Sequence, residues 1–270
     1  MKIPNLGSRK NRILLKELVK TDFKLRYQGS LLGYLWAVLR PMMLFAILYV
    51  VFAKILKMGS DIPHYPVYLL AGTVLWSFFS ECTNQGIQAI IARGDLLRKI
   101  SFPKWIIVVS ATFTALINFL INLGVVIIFA IINGVTPNLG WLLVPFIILE
   151  LYLLSLGISF FLGAINVKYR DISSIWEVFM QALFYAVPVI YPITMVASAS
   201  PLAAKIFLLN PIAQVIQDVR YFLITDQTIT TWNYLENRLL YLIPLGLVSL
   251  VIILGGIYFR KRSKYFAEEA

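Results

Sequence analysis

Six apolar runs divide this chain, with short polar segments between them. Residues 31–53, 66–92, 105–132, 141–167, 172–193 and 239–259 are each long enough, at about 1.5 Å per residue, to cross a hydrocarbon layer about 30 Å thick. The pattern predicts an all-α integral membrane protein with six transmembrane helices in one domain, 1–270. Ahead of the first run, residues 9–28 are apolar on one side only. Leu14, Leu15, Leu18, Val19, Phe23 and Leu25 fall on one arc at about 100° per residue, and Lys16, Lys20 and Lys24 form a row opposite. Such a helix lies in the membrane interface, apolar face down. Docking on a soluble domain is the alternative, but no such domain follows.

Two segments break the pattern. Between the fifth and sixth runs, residues 194–237 hold two apolar pieces, 202–209 and 212–224, split by Asn210-Pro211. Each piece is shorter than the roughly 17 residues of a spanning helix, and proline forbids joining them. Two short re-entrant or surface helices are expected there. The other exception is residues 93–104, a charged island between the second and third runs, too polar for hydrocarbon and too short for a domain. It reads as a brief surface helix with Leu96, Leu97 and Ile100 as an apolar stripe. Asp95 near its start and Arg98 and Lys99 near its end complement the helix dipole. A helix so short is marginal alone and needs a partner surface; an ordinary basic loop on lipid headgroups is the plainer reading.

Composition fits this picture. Of 270 residues, 60% are hydrophobic and 14% charged, a balance no water-soluble domain could cover with polar surface. The net charge of +11 would suggest nucleic acid in a soluble protein. Here the basic residues sit between the apolar runs: residues 1–30 carry eight lysines and arginines, 93–104 four, 168–170 two and 260–264 four, of 24 in all. That asymmetry is membrane orientation, with both termini and the island cytoplasmic, and no nucleic-acid partner. The interfacial helix then meets anionic lipid of the inner leaflet. No cleavable signal core is expected at the amino terminus.

No catalytic pattern emerges. A phosphate-binding loop and a nucleophile elbow are both missing from the sequence, and one cysteine, Cys82, with one histidine, His64, gives no metal-ligand spacing. Three ionisable residues stand near the middles of their runs, Arg40, Glu81 and Glu150. A charge at that depth costs about 2.5 to 3.5 kcal/mol unless paired or wetted, so Arg40 is expected to be neutralised by Glu81 or Glu150, unless these residues snorkel. Asn118 and Asn122, one turn apart, read as interhelical packing. Phe45, Tyr49 and Phe52, then Trp76 and Phe79, then Phe184 and Tyr185 form aromatic stripes, which either pack or offer sliding contact to sugar rings along a substrate channel.

Several stretches together resemble the permease subunits of type-2 ABC exporters of lipid-linked polysaccharides, a group that includes O-antigen, capsule and wall teichoic acid exporters. They are residues 14–27 running into Gln28-Gly29-Ser30-Leu31-Leu32-Gly33-Tyr34-Leu35-Trp36 and Pro41; Gly72-Thr73-Val74-Leu75-Trp76-Ser77-Phe78-Phe79; Leu96-Leu97-Arg98-Lys99-Ile100-Ser101-Phe102-Pro103; Tyr169-Arg170-Asp171-Ile172; and Asn210-Pro211. They occur in the order expected of that family. The resemblance implies a homodimer with a channel at its interface, lined by aromatic residues. It implies a separate cytoplasmic ATPase in two copies, which holds the ATP and magnesium, so that this chain carries no cofactor. Residues 93–101 would be the coupling helix, and the helices within 194–237 an extracytoplasmic gate. Arg40 has no assigned role in that scheme.

The expected function is therefore the membrane half of an ATP-driven exporter moving an undecaprenyl-type lipid-linked polysaccharide or teichoic acid across the cytoplasmic membrane. An exporter of small hydrophobic compounds and a proton-coupled transporter using Glu81 and Glu150 are the rivals. The second would favour an inverted repeat, which the sequence does not display. A membrane-bound glycan-processing enzyme would want paired acids on a loop or a hydrophilic domain.

Overall fold

The computed structural model describes residues 9–28, 32–59, 62–235 and 238–269. The start of the first run at Leu31, the Gly29-Ser30-Leu31 part of the family resemblance and the last two residues of 194–237 lie outside the described residues. Every regular element within them is helical.

The helix expected at the membrane interface is α1 (Arg9–Tyr27). It lies along α5, with Leu14, Leu15, Leu18, Val19 and Phe23 half buried and the Lys16, Lys20 and Lys24 row exposed. Leu25 departs from its expected arc and is exposed. The first run becomes α2 (Trp36–Leu48), preceded by a 3₁₀ turn at Gly33–Leu35 and continued as a π-wound stretch, Tyr49–Ile55. Pro41 sits inside α2. With no N–H, it cannot close the helical turn onto the carbonyl of Ala37.

The bundle is built around α3 (Tyr65–Ala92), which leads through α4 (Gly94–Lys99) to α5 (Trp105–Ile132). A 3₁₀ turn at Leu139–Leu143 opens α6 (Val144–Asn166), which α7 (Ile172–Ala186) follows. α3 packs on α5 and α6, and α6 on α12 (Leu242–Arg262). Small residues permit these crossings. A Cβ on Gly157 would meet the backbone of Ile252 at 2.8 Å, and one on Gly255 would strike the carbonyl of Gly157. Similarly, a Cβ on Gly86 would run into Ser159, and one on Gly163 would press the Gly86 carbonyl at 3.1 Å. Main chain therefore packs on main chain, as in membrane bundles that associate through small residues. Side-chain hydrogen bonds also join helices, from Asn166 Nδ2 of α6 to the Ile87 carbonyl of α3 (3.3 Å) and from Trp176 Nε1 of α7 to Thr83 Oγ1 of α3 (3.0 Å).

Among the described residues, four helical stretches are long and apolar enough to cross a membrane, Gly33–Ile55, Trp105–Ile132, Leu139–Asn166 and Leu239–Arg262, and the bent pair Pro201–Leu208 and Pro211–Leu223 makes a fifth if counted as one span. α3 has the length, at 28 residues, but Ser80, Glu81, Asn84 and Gln85 dilute its hydropathy. The fifth expected run is not one helix. α7 stops at Ala186 because Pro188 and Pro192 cannot continue it, and Val187 is already extended.

Beyond that break lie α8 (Ile193–Ala199), α9 (Pro201–Leu208), α10 (Pro211–Leu223) and the short α11 (Thr231–Tyr234). The segment thus has more helices than the two expected. Ser200 and Asn210 cap α9 and α10, accepting from Ala203 N (3.3 Å) and Ile212 N (2.9 Å), and each helix starts with proline at its first position. The chain turns through 92° between α9 and α10. A last short helix, α13 (Phe266–Glu269), folds back on α4.

Candidate functional site

The charged island folds as α4. Leu97 is only 6% exposed, packed in a cluster with Ile90, Val108, Phe259 and Phe266, while Ile100 is 52% exposed. Asp95, Arg98 and Lys99 are exposed and Leu96 is half buried. The expected apolar stripe is therefore split. Leu97 roots the helix in the bundle, and the outward surface consists of Asp95, Arg98, Lys99 and Ile100. Directly before α4, Arg93 pairs with Asp22 of α1 and reaches Ser110 Oγ at 3.4 Å. Packing thus ties α4 to α3, α5 and α12, and the Arg93–Asp22 ion pair ties the residue before it to α1.

A second ion pair joins α1 to α3, between Arg26 and Glu81. Glu81 also accepts from Gln85 Nε2 (2.9 Å) and Asn118 Nδ2 (2.8 Å). This corrects the expectation that Arg40 neutralises Glu81 or Glu150. Arg26, from α1, takes Glu81, and Glu150 lies in a separate cluster. Arg40 is exposed and makes no hydrogen bond or ion pair among the described residues. Arg26, Arg40, Glu81, Asn118 and Asn122 all line one cavity of about 520 Å³. Asn122 packs as expected. Its Nδ2 donates to the Asn118 carbonyl (2.9 Å) and to the Ala37 carbonyl (3.0 Å), the acceptor that Pro41 leaves without its helical donor.

Toward the other end, α10 carries residues whose roles sequence reasoning missed. Gln214 Nε2 donates to Asp218 Oδ2 (2.6 Å) and Glu150 Oε2 (3.5 Å), bridging two buried carboxyl groups. Arg220 is 0% exposed. Its Nε donates to the Tyr68 carbonyl (3.1 Å) and its Nη1 to the Pro188 carbonyl (2.7 Å) and Gln217 Oε1 (3.0 Å). Nη2 donates to the Val189 carbonyl (2.5 Å), and the guanidinium lies 3.6 Å from the centre of the Tyr68 ring. The group locks α10 to α3 and to the broken end of α7. Space for it exists because residue 72 is glycine: a Cβ there would overlap Arg220 Nη2. The available signal was polar residues inside an apolar stretch, with Gln214, Gln217 and Asp218 at helical spacing and Arg220 on the adjoining face.

The aromatic residues do not form one surface. Phe79 is fully enclosed and Trp76 is buried against Phe184, with ring centres 5.6 Å apart. Within one chain these are packing rings, because the bundle closes around them. Phe45 stacks on Tyr49 at 5.8 Å and meets Phe129 edge-on at 5.7 Å. Phe52 is half buried, and Tyr185 is 68% exposed.

Residues 13–224 match the family described as ABC-2 type transporter. The chain is 28% identical over 256 residues to the O-antigen export system permease protein RfbA of Klebsiella pneumoniae, covering 94% of each chain. It is 32% identical over 200 residues to the protein of the same name from Myxococcus xanthus, covering 74% of this chain and 76% of that one. The polysialic acid transport protein KpsM of Escherichia coli is 24% identical over 196 residues, 69% of this chain and 73% of that one.

Proposed function

This chain belongs to the ABC-2 type transporter family, and from that premise we propose that it is the permease half of an ATP-driven exporter of lipid-linked polysaccharide across the cytoplasmic membrane. Relatives named for O-antigen export and polysialic acid transport support polysaccharide as the substrate class. The chain performs no covalent chemistry in this reading. A partner ATPase supplies the differential binding that a directed conformational change requires.

The observation that carries the mechanism is the division of α4 into a buried root at Leu97 and a charged outer face at Asp95, Arg98 and Lys99. A short helix held only by lipid would tilt under load, whereas one rooted in the bundle transmits it. The ATPase grips the outer face. Its motion passes along α3 and α5, and through Arg93 and Asp22 to α1. At the far end, the joint between α8, α9 and α10 opens as the outer gate. Six spans complete this scheme, with α3 and the α7 segment added to the four longest apolar helices and both termini cytoplasmic. No α2 residue is buried, and Met180 alone is buried in α7; these faces suit a second copy of the chain, and two copies would bind two ATPase subunits.

Purification of the tagged chain from its native membrane tests the reading. A nucleotide-binding subunit with a phosphate loop is expected at equal stoichiometry, and ATP-dependent movement of lipid-linked glycan is expected in proteoliposomes containing both. A chain that purifies alone and exports without ATP would overturn it.

A further inference from the structure

We propose that Phe266 is a positioning residue for ATPase coupling: it seats α4 against the last turn of α12, so that a push on α4 moves α12 directly. The inference rests on the exporter reading above and concerns how the charged helix is held. Backbone geometry at both ends of α4 is irregular, for Arg93 departs from the helical region and Ile100 is extended. Two such joints let a helix of six residues pivot, so its tilt must be fixed by side-chain packing. Within α4 only Gly94 and Leu97 are buried. Leu97 shares its cluster with Phe259 of α12 and with Phe266, which is 0% exposed although α13 has only four residues. So short a helix is held in place by its buried ring, which meets Phe259 edge-on with centres 5.2 Å apart.

Two further links make residues 262–269 a strap across the end of α12. Lys104, just ahead of α5, donates from Nζ to the carbonyl of Ser263 (2.6 Å), the residue that ends α12, and lies 5.9 Å from the centre of the Phe266 ring. A cation on the last carbonyls of a helix matches the negative end of its dipole. Arg262, in the last turn of α12, donates from Nη2 to Glu269 Oε2 (3.0 Å) and holds α13 folded back. The Phe266 contact therefore joins α4 to α12, which packs main chain on main chain against α6. Force taken through the covalent route must cross the two irregular joints, whereas force taken through Phe266 enters the tightest helix pair of the bundle.

The test uses the purified permease–ATPase complex in proteoliposomes and counts glycan exported per ATP hydrolysed. Complexes that misassemble lose both quantities together, so a purely structural defect leaves this ratio unchanged. Phe266→Ala should lower the ratio about fivefold, with ATPase binding within about twofold of the parent because the outer face of α4 is untouched. Phe266→Leu should restore at least half of the ratio. Lys104→Met breaks a tie at the edge of the packed cluster and should lower it about twofold, and it decides the matter where Phe266→Ala does not fold. Amide hydrogen exchange gives a second reading without the ATPase. The amides of Leu97 and Ile100, which donate to the carbonyls of Arg93 (3.2 Å) and Leu96 (3.1 Å), should exchange about tenfold faster in Phe266→Ala, while those in the middle of α5 should not change. A parental export ratio in Phe266→Ala or Lys104→Met, or parental exchange at Leu97 in Phe266→Ala, overturns the proposal. Loss of ATPase binding in Phe266→Ala places the effect in docking and overturns it as well. A parent chain that exports without ATP overturns the exporter reading and this proposal together, whereas parental coupling in the variants of an ATP-dependent parent overturns this proposal alone.

Discussion

Asn122 of α5 replaces the donor that Pro41 withholds from α2: its amide lies 3.0 Å from the Ala37 carbonyl, four residues before the proline. Within a membrane bundle a carbonyl freed by proline is re-satisfied by a neighbouring side chain, and Asn122 does so here. The two residues should be energetically coupled. Asn122→Leu should destabilise the parent by about 1 to 2 kcal/mol. In a Pro41→Ala background the helix supplies its own N–H, and the same change should do less. Thermal unfolding of the four proteins in one detergent measures the cycle, and equal effects of Asn122→Leu in both backgrounds would disprove the substitution of donors.

Gly72 and Arg220 should behave as one unit. Removing the fully buried guanidinium in Arg220→Met strands the carbonyls of Tyr68, Pro188 and Val189, a loss of about 3 to 5 kcal/mol. Gly72→Ala places a methyl group on the same space and should be nearly as damaging. Detergent-solubilised yield by size-exclusion fluorescence reads both. A normal profile for Gly72→Ala would show that the site has slack.

Leu97 and its charged neighbours should separate stability from coupling. Leu97→Ala empties a packed position and should lower stability by about 2 to 5 kcal/mol. Arg98→Glu with Lys99→Glu alters exposed side chains and should change stability by roughly 0.5 kcal/mol or less. That pair should nevertheless uncouple ATP hydrolysis from export. Full export by the reversed-charge variant would remove α4 from the mechanism.

The Asp22–Arg93 pair predicts a rescue. It is partly exposed, so Asp22→Asn should alter melting by about 1 kcal/mol or less. It should nonetheless reduce export, because α1 loses its tie to the segment before α4. Exchanging the charges, Asp22→Arg with Arg93→Asp, should restore part of the rate in proteoliposomes. No recovery in the exchanged variant would mean that the pair only positions Arg93 locally.

Much of this arrangement was legible in the residues because water and lipid sort side chains over whole helices. The α1 lysine row, the break at Asn210-Pro211 and the polar island at 93–104 each declare themselves by period or composition. The end of α7 was missed because apolar content reads through Pro188 and Pro192, although proline ends a helix regardless of its neighbours. The partner of Glu81 was missed for a different reason. Depth along a span suggested Arg40, but the distance between helices decides a pairing, and α1 brings Arg26 closer. Arg220 escaped the sequence reading because its ligands are mostly backbone carbonyls, which carry no signature in sequence. Leu97 and Ile100 were assigned one face, whereas a helix of six residues fixes its faces through contacts with α12 and α13.

The glycine seam between α6 and α12 has a mechanical consequence. Backbones in direct contact leave no soft layer to compress, so these helices respond to load as a single stiff plank. Compliance must then reside where winding is irregular, and α2 has both a proline and a π-wound end at Tyr49–Ile55. Such a helix can lengthen or unwind by a fraction of a turn while the plank stays rigid. Flexibility is thus concentrated in the most lightly buried of the long apolar stretches, Gly33–Ile55.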